Sequence, residues 1–533
     1  MKAEISHVQD PVMRLKNLHV RYGGSMTPAV QDLSFSLNRG ECLSIIGQSG
    51  SGKSTVLKAI TGLLPPSAQV RGLLHIGGKT LDLSGKAAPW LKIRGTAIGH
   101  IFQDAQQALN PMKTVRSHFK ETLLFHGICS ESETDDVAQQ YLAHMNFTNT
   151  EKVLRAHSFE LSGGMAQRVC IALSLCLRPR VLIADEVTSA LDIVSQMEVL
   201  RLLEKTRKKL GSAILFITHD IRAARLAADS LLVLDDGEVQ DRGRLDDILA
   251  SARSPYTKEL LGKGAIFPHV TTRPPGGDEP PLLRIEKLEK TYPGQKKPAL
   301  KGFSLSVQTG EIVGILGESG CGKSTLARCI VGLERCESGS ILLDGMEIQG
   351  KRAKDRRELK RAIQLVFQDG RGCLNPRRKA TDLAGEPLGY LKLCQRSAIA
   401  PAAQRFLIEA GIPAELHDRR PPELSTGQCQ RVAIARAISV QPKLLICDEA
   451  VSALDVGTRN HILELLLDIH IRKGISILMI SHDLGVLKNV CHRIAVMKDG
   501  LLCDILTTSN LRKTNSHPYV RELFDLEDEL SRP

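Results

Sequence analysis

The chain has 533 residues, 42% apolar and 24% charged, the proportions of an ordinary soluble globular protein of two to four domains. Aromatics make up only 4%, with Trp90 the single tryptophan, which argues against a stacking platform for single-stranded nucleic acid. The formal net charge of +12 is dispersed, and its densest run, residues 351–361, reads as a solvated helix face as readily as a binding patch, so no partner follows from it.

The 13 cysteines include no C-x-x-C pair, which excludes the common zinc patterns and predicts reduced thiols. Cys170, Cys176 and Cys447 lie in apolar runs, as small buried hydrophobes do. The N-terminus lacks the apolar centre of a signal peptide, and no run approaches the roughly 20 apolar residues that span a bilayer. The expectation is a protein soluble by itself, with any membrane work done through other chains.

Taken in order, a strand pattern begins at Met13 and leads to Tyr22, which is either a plain strand-end tyrosine or a ring that stacks on a purine. An apolar strand over residues 41–46 then runs into Gly47, Gln48, Ser49, Gly50, Ser51, Gly52, Lys53, Ser54 and Thr55, and a helical pattern follows. Strand, glycine loop, helix is the context a phosphate-binding loop requires. Glycines let backbone N–H groups converge on phosphate oxygens, and the following helix N-terminus adds partial positive charge. Lys53 is placed to reach the β- and γ-phosphates and the Ser54 hydroxyl to ligate Mg²⁺.

Gln103 stands at the end of the next strand, where its carbonyl can ligate Mg²⁺ or water. About fifty residues of helical pattern follow, including residues 115–124, as in a helical subdomain inserted into the core. Ser162, Gly163 and Gly164 open the next helix with an anion-suited N-terminus. An apolar strand then ends in two carboxylates, Asp185 and Glu186, a costly burial unless a cation compensates it. Asp185 is placed to contact Mg²⁺ and Glu186 to polarise the attacking water. Asp192 follows shortly, and His219 closes another apolar strand.

The whole series is then written again. Tyr292 precedes a second loop of Gly317, Glu318, Ser319, Gly320, Cys321, Gly322, Lys323, Ser324 and Thr325. Gln368, then Ser425, Thr426 and Gly427, then Asp448 and Glu449, then Asp455 and His482 follow in the same order. Ser324, Gln368 and Asp448 repeat the Mg²⁺ set of Ser54, Gln103 and Asp185. A repeat this long means two whole domains, with residues 1–268 as the first, a Pro/Gly-rich linker over 269–281, and residues 282–533 as the second. Cys321, inside the second loop, is expected to be open to alkylation without serving the chemistry.

This ordered set resembles the ATP-binding cassette family across nearly all of both halves. The resemblance implies an α/β fold of tandem P-loop NTPase cassettes, each a RecA-like core with an antiparallel β subdomain and an inserted helical subdomain. It further implies that ATP lies between one half's phosphate loop and the other half's Leu-Ser-Gly-Gly signature. Glu186 and Glu449 would be general bases, with His219 and His482 holding the γ-phosphate and water. The segments Leu109-Asn110-Pro111 and Leu374-Asn375-Pro376, with Ser254-Pro255-Tyr256 and Ser516-His517-Pro518-Tyr519 near the ends of the two halves, resemble the ATPases of dipeptide, oligopeptide and nickel importers. Importers of opine-type metallophores and glutathione use similar ATPases. The implied partners are two permease subunits, docked near Gln103 and Gln368, and an extracytoplasmic solute-binding protein, with the chain peripheral on the cytoplasmic face of the inner membrane. No nucleic acid is expected, although a soluble tandem cassette acting on ribosomes or nucleic acid shares the same ATP residues. One departure stands out: Thr426 replaces the glycine found at Gly163, which by the family's geometry predicts unequal sites with the Lys53 site weaker.

Overall fold

The computed structural model describes residues 10–85, 90–189, 191–262, 280–295, 297–349, 353–451, 454, 456–508, 511 and 517–531. Most of the expected linker, and Asp455 with it, lie outside the described residues. Two compact units form, one from each half of the chain.

In the first unit the strands Cys42–Ile46, Val181–Asp185 and Ala213–Thr218 are continuous apolar runs, because both faces of their sheet are covered. They pair in parallel with Ile98–Ile101 and Ser230–Asp235, and Glu238–Arg244 adds an antiparallel edge. The strand order interleaves the chain: Cys42–Ile46 lies between Ala213–Thr218 and Ser230–Asp235. That interleaving gathers the ends of distant strands at one edge, where ligands of open parallel sheets bind.

A separate four-stranded antiparallel sheet runs in the order Val30–Leu37, Met13–Arg21, Gln69–Ile76, Lys79–Asp82. Its strands alternate buried and exposed positions, as Val30–Leu37 shows with Val30, Leu33, Phe35 and Leu37 turned inward. Those side chains join Val56, Ile60, Ile183 and Leu215 in one core that fuses the two sheets.

The expected inserted helices are present. Val115–Phe125 and Thr134–His144 pack against Gly163–Leu175 through Phe119, Leu123, Leu142, Val169 and Ala172, each no more than 1% exposed. Thr114 caps the first of these by accepting from Ser117 N.

The second unit repeats the design. Its six-stranded sheet runs Ile363–Val366, Leu444–Asp448, Ser476–Ser481, Ile312–Gly317, Arg493–Lys498, Leu501–Thr507, beside a four-stranded antiparallel sheet. Ala380–Tyr390 and Arg396–Glu409 pack on Thr426–Ile438. The basic run expected over 351–361 falls partly on the helix Ala353–Ala362, where Leu359 turns inward and Lys360 and Arg361 face solvent.

Candidate functional site

Each phosphate loop joins a core strand to a helix whose first residue is the lysine, Lys53–Thr61 in one unit and Lys323–Ile330 in the other. Gly52 (φ 104°) and Gly322 (φ 109°) stand at the N-caps in left-handed backbone. Neither helix has a side-chain cap on its first N–H groups, which leaves them to an anion. Gly47 is required by space: a Cβ there would sit 2.2 Å from Leu234 O and 2.5 Å from Ser51 Oγ.

Lys53 Nζ donates to Gly47 O and Gln48 O, both at 2.7 Å, and Lys323 Nζ donates to Gly317 O and Glu318 O at 2.8 Å. The two lysines are buried, at 4–5% exposed, and their ammonium groups are held by their own loops. The Tyr22 hydroxyl lies 3.2 Å from Thr55 Oγ1, and the Tyr292 hydroxyl 3.4 Å from Thr325 Oγ1. This bond ties each tyrosine to the loop helix.

The carboxylate pairs sit beside the lysines. Asp185 and Asp448 end the strands Val181–Asp185 and Leu444–Asp448. Glu186 (φ 45°) and Glu449 (φ 48°) follow in left-handed backbone, unusual for a residue with a Cβ. Their amides donate to Ile217 O and Ile480 O, which hold the strained turns onto the neighbouring strands. Gln103 Nε2 donates to Glu186 Oε2 at 2.8 Å, and Gln368 Nε2 to Glu449 Oε2 at 3.1 Å. His219 Nδ1 lies 3.3 Å from Glu186 Oε1, and His482 Nδ1 3.5 Å from Glu449 Oε2. Thus lysine, aspartate, glutamate, glutamine and histidine meet in each unit from four separate stretches of chain.

The electrostatics of the adjacent acids diverge. Burial, then the neighbouring Glu186 charge, pushes the Asp185 carboxyl up to about 6. Burial also acts on Glu186, but His219 and Lys53 outweigh it and hold that carboxyl below the ordinary range. Burial raises Asp448 as well, against a hydrogen bond from Ser324.

A raised, buried aspartate next to a hydroxyl suits a hard cation. Ser324 Oγ donates to Asp448 Oδ1 at 3.1 Å, and Ser54 stands exposed at the matching position of the first helix. These oxygen donors are of the kind that fits Mg²⁺; among the described residues no group of three or more His, Cys, Asp or Glu could hold a metal ion.

Ser162 caps the helix Gly163–Leu175 by accepting from Met165 N at 3.3 Å, and Ser425 caps Thr426–Ile438 by accepting from Gln428 N at 3.2 Å. A Cβ at Gly163 would meet nothing within 4 Å, and Thr426 at the matching position of the second unit is exposed. Gly427 is tighter, with Thr458 Cγ2 2.5 Å from where its Cβ would lie. Asp192 is buried at 5% exposed. Cys321 corrects an expectation: it is 6% exposed, its sulfur is tucked under Gly317, and burial pushes its thiol up to about 11. One contact was not legible in the sequence, although Pro255-Tyr256 stands out there as a motif: Gln48 N donates to Tyr256 Oη at 3.0 Å.

A family model described as ABC transporter matches residues 30–189 and 300–452. The chain belongs to the ABC transporter family. It carries two ATP-binding cassettes and is an ABC ATPase. Both matched segments contain a phosphate loop, a glutamine, a signature and an Asp-Glu pair, while the two histidines lie beyond them. The glutathione import ATP-binding protein GsiA of Shigella flexneri serotype 5b (strain 8401) is 35% identical over 96% of this chain and 89% of its own length. GsiA of Escherichia coli (strain K12) is 34% identical over the same shares. Among solved structures, cbiO1 from Clostridium perfringens, part of the transporter complex cbiONQ, is 30% identical, covering 48% of this chain and 97% of its own, with a TM-score of 0.41.

Proposed function

We propose that the chain is the ATP-hydrolysing, energy-coupling subunit of an importer for peptide-like, nickel or metal-chelate solutes, driving transport through separate permease subunits. The observation that carries the reading is a complete ATPase constellation written twice in a chain 35% identical to GsiA along 96% of its length.

In each cassette the phosphate loop holds ATP, with Lys53 or Lys323 neutralising the β- and γ-phosphates and Tyr22 or Tyr292 stacking on adenine. Glu186 and Glu449 take the proton of the attacking water, which adds to the γ-phosphorus as the bond to the ADP oxygen breaks. A base must be ionised to do this, and the depressed Glu186 carboxyl is. His219 and His482 hold the γ-phosphate and the water. A bound Mg²⁺ supplies charge neutralisation on the phosphate oxygens, held directly or through water by Ser54, Gln103 and Asp185, or by Ser324, Gln368 and Asp448. Catalysis is then positioning and charge stabilisation.

The subunit works peripherally at the cytoplasmic face of the inner membrane, with two permeases and a solute-binding protein. Supporting this, no helix among the described residues is long and apolar enough to cross a membrane. Phe102, Met112 and Phe159, at 45%, 85% and 71% exposed, leave apolar surface around Gln103 and the helical insert, as a docking site for permease helices needs.

The test is affinity capture of the tagged full-length chain from detergent-solubilised membranes. Two integral permeases are expected, with ATPase activity raised when they are reconstituted with it. Recovery of ribosomes or nucleic acid in their place overturns the reading.

A further inference from the structure

The Pro-Tyr segments near the ends of the two halves play no part in the mechanism above, yet each delivers a tyrosine to a phosphate loop. Tyr256 lies in the helix Pro255–Gly262 and packs with Leu260 and Leu261 against Ile46 and Val233, the strand residues beneath the loop. Its entry is fixed by Ser254, whose Oγ accepts from Tyr256 N at 3.2 Å, and by Asp241, whose carboxylate accepts from Ser254 N at 3.0 Å. The hydroxyl accepts from Gln48 N, the first amide after Gly47, at 3.0 Å. Asp235, the last residue of its strand, faces the same hydroxyl.

The second unit builds the same triad with a carboxylate in place of the amide and an ammonium in place of the carboxylate. Tyr519 opens the helix Pro518–Ser531 and is 3% exposed. Glu318 stands where the first loop has Gln48, and Lys498 ends the strand that matches Ser230–Asp235. Lys498 Nζ lies 3.9 Å from Glu318 Oε1 and 4.0 Å from the centre of the Tyr519 ring. The Tyr519 hydroxyl is buried and faces the Glu318 carboxyl. Burial raises the Glu318 carboxyl, and Tyr519 and Lys498 act against that rise.

We propose that Tyr256 and Tyr519 are positioning residues for the phosphate loops, and that the second loop carries a carboxylate which Lys498 and Tyr519 must hold for ATP to bind there. In the first cassette the tyrosine fixes a loop amide. In the second, the tyrosine and lysine keep a negative side chain from opposing the phosphates. The proposal rests on these loops being the ATP sites, and the controls separate the two ideas.

Binding of trinitrophenyl-ATP and steady-state hydrolysis are measured on the full chain, with one loop silenced at a time by Lys323→Ala or Lys53→Ala. With the second loop silenced, Tyr256→Phe is expected to weaken binding and raise KM at least 5-fold while kcat changes less than 2-fold. Unchanged affinity overturns the first half of the proposal. With the first loop silenced, Lys498→Ala is expected to weaken binding at least 5-fold, and adding Glu318→Gln to restore most of it. A double variant no better than Lys498→Ala overturns the second half, and this arm decides it even where Tyr519→Phe proves unstable. Loss of all binding in the Lys53→Ala, Lys323→Ala double variant confirms the loops as the sites. Retained binding there sinks the site reading instead.

Discussion

Gln103 and His219 hold opposite oxygens of the Glu186 carboxylate, the amide on Oε2 at 2.8 Å and the imidazole beside Oε1 at 3.3 Å. A carboxylate gripped at both ends has a fixed direction, and the left-handed backbone at residue 186 aims it. If Glu186 and Glu449 are the bases, Glu186→Gln and Glu449→Gln each remove a proton acceptor and keep the shape. The double variant is expected to lose hydrolysis by about 10²–10⁴-fold while still binding ATP. Turnover and trinitrophenyl-ATP binding, measured on the same preparation, check this.

Removing the glutamine leaves the base in place but less well directed. Gln103→Ala is expected to cost roughly 3–10-fold in kcat, far less than loss of the glutamate, since a general-base contribution is about 10²–10⁴ in all. A Gln103→Ala defect as large as that of Glu186→Gln would show that the glutamine does more than orient.

The loop glycines and the signature glycine should separate stability from activity. Gly47→Ala forces a Cβ onto Leu234 O, and overpacking of this kind costs about 1–3 kcal/mol. For a domain of this size that is a fall in Tm of roughly 2–12 °C. A Cβ at Gly163 meets nothing within 4 Å, so Gly163→Thr should leave Tm within about 2 °C. Its expected effect is on turnover, which falls, and Thr426→Gly is expected to raise it. Scanning calorimetry and ATPase rates read the two effects independently.

The thiols give a prediction that needs no variant. Cys321 has a thiol pushed up to about 11 by burial, so roughly 0.1% or less is thiolate at pH 7.5. Cys336 is half-buried, and the S–H of Cys329, Gln349 and the charge of Lys290 pull its thiol below the ordinary range. Iodoacetamide at pH 7.5 is expected to label Cys336 at least about tenfold faster than Cys321, followed by mass spectrometry of the peptides. The Cys336 rate should fall as pH drops below its depressed value, where the thiol reprotonates.

Two cassettes, their phosphate loops, the Asp-Glu pairs and the inserted helices were legible in the residues alone. The reason is that each is a local pattern: glycine spacing between a strand and a helix, an apolar run ending in acids, a 3.6-residue period. Repetition in register turned weak signals such as Gln103 and His219 into firm ones. Tertiary structure alone decided which of these groups touch. Gln103 reaches Glu186, and Tyr256 reaches Gln48 across 208 positions, because the sheet order threads the strand Cys42–Ile46 between strands that come far later in the chain. It also buried Cys321, whose place in an open-looking loop had suggested a reactive thiol, and it turned Glu186 and Glu449 into left-handed backbone. Such contacts depend on which strand ends share an edge, and no spacing along a single chain encodes that.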